Sequence, residues 1–161
     1  MEKKNMSSAM ENAAETLSAK IGVASEPTDW FEMTQDRINT FADATMDQQW
    51  IHVDPERAKA GPFGTPIAHG QLTMSVMSFL PGGEGVGLPQ LDGMTMGVNL
   101  GWNKVRFMNP VPVGCNIRTI GKIKSVEAKG PMLEVVNEMT VEIEGQEKPA
   151  CVAESVLRIG F

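Results

Sequence analysis

The chain of 161 residues has no tyrosine, two histidines and two cysteines. Without tyrosine, acid–base chemistry near neutral pH falls to His52, His69, a carboxylate, a lysine or a cysteine. Cys115 and Cys151 stand apart with no CxxC spacing. Each reads as a small buried hydrophobe in a reducing compartment, so a cytoplasmic location is expected. Two His and two Cys at no ligand spacing argue against a zinc site, and neither metal nor other cofactor is expected. Basic residues are outnumbered, 14 Lys+Arg against 20 Asp+Glu, and the net charge of -6 leaves no basic stripe for nucleic acid. No run of about 18 apolar residues is present, so no membrane-spanning helix is expected. The first residues hold two lysines and then stay polar. Without an apolar stretch they do not read as a signal peptide.

What remains is an ordinary globular composition, 42% hydrophobic and 21% charged. The length suits one domain over 26–161, preceded by an extension over 1–25 that is helical or partly disordered. A helix is expected over about 7–20, with Leu17 and Ile21 on one side, then a short strand around Trp30–Thr34. Thr34 suits an N-cap. Ile38, Phe41, Ala42 and Thr45 form an apolar helical stripe that ends near Met46. Asp54, Pro55 and Glu56 read as N-cap, N1 and N2 of a short helix that Gly61 and Pro62 terminate. QLTMSVMSFLP is apolar around most of its circumference, which predicts a long buried helix ending at Pro81.

From about residue 93 the period becomes two. Met96, Val98, Leu100 and Trp102 alternate. Val105 and Phe107 then fall out of phase, which places a bulge near Asn103. Strands are expected over about 115–128, 131–144 and 148–160, with a hairpin turn at EGQE. Leu133, Val135, Met139, Val141 and Ile143 face one way and Glu134, Glu138, Glu142 and Glu144 the other, as in an antiparallel sheet with one solvated face. The fold class is therefore α+β. A long central apolar helix wrapped by a curved antiparallel sheet is the arrangement called a hot dog fold.

Asp47 and His52, in MDQQWIHVD, are candidates for an acid–base pair sharing a water. Spacing alone leaves open that both only satisfy turns. His69-Gly70 precedes the apolar helix, whose first N–H groups carry partial positive charge and can receive an anionic oxygen. Gly70 would let a ligand carbonyl come close. His69 has no ionisable sequence neighbours and reads more readily as structural. Ser78 lacks a GxSxG context and is not a hydrolase nucleophile. GGEGVG at 82–87 matches no phosphate loop, since Glu84 would repel phosphate and no strand precedes it.

Taken together, FADATMDQQWIHVDPERAKAGPFGTPIAHG, NKVRFMNPVPVG and KPACVAES resemble the MaoC-like dehydratases, or R-specific enoyl-CoA hydratases, and within them the nodulation protein N branch. The resemblance runs from about Trp30 to the C-terminus. It implies a hot dog homodimer acting on enoyl-CoA in fatty acid metabolism. Asp47 and His52 would hold the catalytic water, Gly70 N–H would receive the thioester carbonyl, and Ser78 would help hold Asp47. Met46 departs from the glycine common in the family, and Gln48 and Gln49 also differ. Asn103, Lys104, Arg106 and His69 are candidates for substrate binding, Lys104 and Arg106 through the coenzyme A phosphates. An acyl carrier protein is a less favourable carrier, because it is acidic like this chain. The competing readings are a hot dog acyl-CoA thioesterase and a noncatalytic acyl-binding dimer subunit.

Overall fold

The computed structural model describes residues 8–83, 86 and 89–161. Helix α1 (Ser8–Ser18) leads to the two-residue strand β1 (Phe31–Glu32) and then helix α2 (Gln35–Thr45). Two short helices follow, α3 (Trp50–Val53) and α4 (Pro55–Lys59), and then α5 (Gly70–Val76). The C-terminal half is strands β2 (Met96–Phe107), β3 (Asn116–Lys129), β4 (Met132–Ile143) and β5 (Cys151–Gly160). They form one antiparallel sheet in the order β1-β3-β4-β5-β2, which wraps the helices in a hot-dog-like α+β fold.

Alternation on β4 is strict. Leu133, Val135, Met139, Val141 and Ile143 are buried on the helix face, joined by Asn137. Asn137 Oδ1 accepts the Lys122 backbone N–H at 2.9 Å, so its burial is satisfied. The opposite face carries Arg118–Glu142, Lys124–Glu138 and Arg158–Glu134 ion pairs. Pairs this exposed keep the face wet and contribute little to stability.

Helix boundaries follow the capping chemistry. Thr34 Oγ1 accepts the Arg37 N–H and Asp54 Oδ1 accepts the Arg57 N–H. α2 ends at Met46, which adopts φ 63, the left-handed conformation that glycine usually supplies at a helix end. α1 packs on the sheet. Met10, Ala13 and Leu17 are buried against Ile123, Leu133, Val135 and Ile159, whereas Ile21 is exposed.

Two expectations change. The apolar helix is short, seven residues rather than the whole run to Pro81. Leu72, Met77 and Leu80 are buried, but Phe79 points out and is 79% exposed. The Thr73 and Ser75 hydroxyls bond to carbonyls four residues back, and Pro81 disfavours helical backbone at Leu80. The second change concerns β2, which carries two register shifts, at Asn99/Gly101 and at Trp102/Lys104. The second shift is the bulge expected near Asn103; the first reverses the faces ahead of it. Val98 pairs with outward Arg158, and Trp102 with buried Ser155, so Val98 and Trp102 lie on opposite faces. Of the 82–87 loop, residues 84, 85 and 87 lie outside the described residues.

Candidate active site

The strand-like segment 66–69 anchors the site. Its backbone is clamped on both sides, by Ala68 N–H to Val111 O at 2.8 Å and Val113 N–H to Pro66 O at 2.9 Å, and by Ile67 N–H to Ile51 O at 3.0 Å. The last bond draws α3 onto the segment. It brings His52 Nδ1 within 2.6 Å of Ile67 O. A carbonyl only accepts, so neutral His52 carries its proton on Nδ1, and Nε2 keeps its lone pair free. Gln35, on α2, fixes α3 from the other side by donating from Nε2 to His52 O at 2.8 Å. Trp50 lies over Gly61, where a Cβ would come within 2.8 Å of the indole, and stacks with Arg57. The site loop is thus braced by α4.

His52 and His69 are both buried, and their rings stack with centroids 3.7 Å apart and an interplanar angle of 25°. Phe41 also packs on His69, tilted by 54° with 5.0 Å between centroids. His69 Nε2 lies 3.0 Å from Asp47 O and 4.0 Å from Asp47 Oδ2. The Asp47 side chain is 54% exposed, so the cluster opens to water at the carboxylate and is closed at the imidazoles. Burial holds the His52 pKa below its ordinary value. The Ile67 carbonyl opposes that shift, His69 adds to it, and Asp47 opposes it weakly. His52 therefore stays a neutral base below the usual histidine range.

Donor atoms of Asp47, His52 and His69 lie within 4.8 Å of one another. The arrangement does not suit a metal ion. Imidazole lone pairs lie in the ring plane, and nearly parallel stacked rings send them side by side rather than to one point.

Gly70 opens α5 beside this cluster. A Cβ there would sit 3.1 Å from the Phe107 ring, so the glycine lets β2 and α5 close together. Ser78 does not join the cluster: its hydroxyl donates to Met139 Sδ at 3.6 Å. Nor do Lys104 and Arg106. Lys104 pairs with outward Glu154 and Arg106 with outward Val152, and both line a shallow cavity of about 240 Å³ with Glu138 and Glu154. Asn103 is an exposed bulge residue between them and Trp102. Three groups escaped the reading of the sequence: the Ile67 carbonyl, Gln35 and Phe107. Backbone oxygens and a helix-surface amide leave no mark in composition or spacing. Phe107 could be found only through the bulge that turns it toward Gly70.

The MaoC like domain model matches residues 16–145. The chain is 47% identical to 3-hydroxyacyl-thioester dehydratase Z of Mycobacterium tuberculosis, over 88% of this chain and 92% of that protein. It is 41% identical to nodulation protein N of Rhizobium leguminosarum, over 89% and 88% of the two chains. The MaoC-like dehydratase of Rhodospirillum rubrum superposes with a TM-score of 0.68 at 18% identity, covering 87% of this chain and 92% of that one, which speaks for the fold. With this fold, this Asp–His cluster and these relatives, the chain belongs to the MaoC-like dehydratase family.

Proposed function

We propose that the chain is a hydro-lyase that adds water reversibly to trans-2-enoyl thioesters, with coenzyme A as carrier, to give R-3-hydroxyacyl thioesters. The observation that carries this reading is the His52 Nδ1–Ile67 O bond of 2.6 Å, which leaves Nε2 as the free base beside water-exposed Asp47. In the hydration direction His52 Nε2 and Asp47 hold a water, and His52 takes its proton as the oxygen attacks C3. Charge develops on the thioester oxygen, and in this reading it is received by Gly70 N–H; the position of Gly70 at the start of α5 supports that role. The proton returns from His52 to C2, so the pair ends as it began and no redox cofactor enters the balance.

The working unit in this reading is a homodimer. β2 is the last strand of the sheet, and Met96, Val98 and Leu100 on it are 50%, 37% and 51% exposed. An apolar edge strand of that length is a surface for pairing with another chain.

The test is hydration of crotonyl-CoA, followed as loss of the enoyl absorbance. Asp47→Asn is expected to fold normally and to lose at least about a hundredfold in kcat. Wild-type turnover by that variant would refute the assignment. Release of free thiol instead of a 3-hydroxyacyl product would make the chain a thioesterase.

A further inference from the structure

Asp47 sits in an exposed loop, directly after a residue in the left-handed conformation whose own side chain is 86% exposed. Such a loop does not position a carboxylate by itself. Ser78, the hydroxyl that the family resemblance assigns to holding Asp47, is engaged with the Met139 sulfur. The bond that reaches Asp47 from the interior comes from His69. That histidine is 3% exposed, stacked on His52 and backed by Phe41.

The hydrogen bond also decides how His69 is protonated. Asp47 O can only accept, so neutral His69 carries its proton on Nε2. Nδ1 is then a bare acceptor, and it is buried with no hydrogen-bond partner among the described residues. A buried acceptor without a donor is costly and calls for an explanation. A ring that only filled space here would be better replaced by an apolar one.

We propose that His69 is the positioning residue of the water-activating pair: its Nε2–H holds the main chain of Asp47 while its ring face sets the plane of His52. This rests on the assignment of Asp47 and His52 as the pair. It moves the task of holding Asp47 from Ser78, in the turn after α5, to the residue that caps the start of the helix. One imidazole then fixes both members, the carboxylate through its backbone and the base through stacking.

The chain has two histidines, so 15N-edited NMR of the intact wild-type protein resolves both rings. The expected result is His52 protonated on Nδ1 and His69 on Nε2. A His69 proton on Nδ1 overturns the proposal, since Nε2 could not then donate to Asp47. This arm does not depend on activity and stands even if His69 variants misfold.

The second arm uses crotonyl-CoA hydration. His69→Ala is expected to lower kcat by at least about 50-fold with KM changed less than threefold. His69→Gln, whose amide can still donate, is expected to recover at least tenfold of that loss, and Ser78→Ala to lose less than His69→Ala. Asp47 and His69 are the ionisable groups acting on His52. The proposal is overturned if His69→Ala keeps kcat within threefold, if His69→Gln is no better than His69→Ala, or if Ser78→Ala matches the His69→Ala loss. An inactive wild-type protein, or an active Asp47→Asn, would refute the hydratase reading instead, and the NMR arm would still decide the tautomer.

Discussion

Replacing Gly70 with alanine separates the structural reason for this glycine from the chemical one. The new Cβ would sit 3.1 Å from Cε1, Cε2 and Cζ of Phe107, a few tenths of an ångström inside comfortable contact. Phe107 is 48% exposed, so its ring can yield. Alanine is favoured over glycine in a helix by up to about 1 kcal/mol, which offsets the crowding. The melting temperature should therefore stay within about 3 °C of wild type, given roughly 2–4 °C per kcal/mol for a chain of this size. Activity should behave differently. A thioester oxygen receiving the Gly70 N–H must come to about 2.9 Å from the nitrogen, past the carbon that now bears a methyl group. Losing such a donor costs about 10²–10³ in kcat, or about 2.7–4 kcal/mol. The assay is crotonyl-CoA hydration by Gly70→Ala, alone and combined with Phe107→Ala. The second change relieves the ring contact but leaves the methyl in the path of the carbonyl, so turnover should remain low. A folded Gly70→Ala with activity within threefold of wild type would refute the placement of the thioester at this N–H. Full recovery in the double variant would show that the displaced ring was the whole cause.

Three further outcomes follow from the same geometry. Burial depresses the folded-state pKa of His52, so the unfolded chain takes up this proton first as pH falls. Stability from this group should be fully present above about pH 6.5 and lost as pH drops from there through the folded value; melting temperatures of wild type and His52→Gln across pH 4–8 should show a steeper fall for wild type, and the opposite order would refute the buried neutral base. Met46→Gly should raise the melting temperature by up to about 4 °C, because the left-handed backbone costs a non-glycine residue about 1–2 kcal/mol while glycine gives back roughly 0.5–1 kcal/mol in chain entropy; a fall in Tm would mean that the exposed thioether makes a contact worth more. Arg106→Glu should leave KM for crotonyl-CoA within threefold, since Arg106 stands on the outer face among Glu138 and Glu154; a tenfold rise would return the coenzyme A phosphates to that face.

Much of the architecture was legible because it rests on local rules. Thr34 and Asp54 cap the helices they were expected to cap, since a short oxygen-bearing side chain before a helix has few other uses. β4 could be read residue by residue because one face is dry and the other wet along its whole length. Asp47 and His52 stood out in MDQQWIHVD as candidates, but only the resemblance joined them into a pair, since five residues of spacing do not say that α3 folds back onto Ile67. His69 read as structural because its sequence neighbours, Ala68 and Gly70, are not ionisable. Its partners come instead from 22 residues earlier at Asp47 and from the ring of His52.

The misreading of β2 has the same origin and a larger consequence. Period-two patterning assigns faces only while the register holds, and each bulge exchanges them. Counting one bulge near Asn103 left Met96, Val98, Leu100 and Trp102 in a single row on one face. The additional shift between Asn99 and Gly101 reverses the faces ahead of Trp102 and turns Val98 out beside Arg158. Downstream, Val105 lies opposite buried Ala153 and Phe107 opposite buried Cys151, which aims the Phe107 ring at Gly70. Lys104 and Arg106 are then forced onto the other face. Phe107, which closes over Gly70, and the cations Lys104 and Arg106 thus sit on opposite sides of one strand. On the proposed assignment of the thioester carbonyl to Gly70, that oxygen lies across the strand from Lys104 and Arg106, and the Arg106→Glu variant decides whether those cations reach the coenzyme A phosphates.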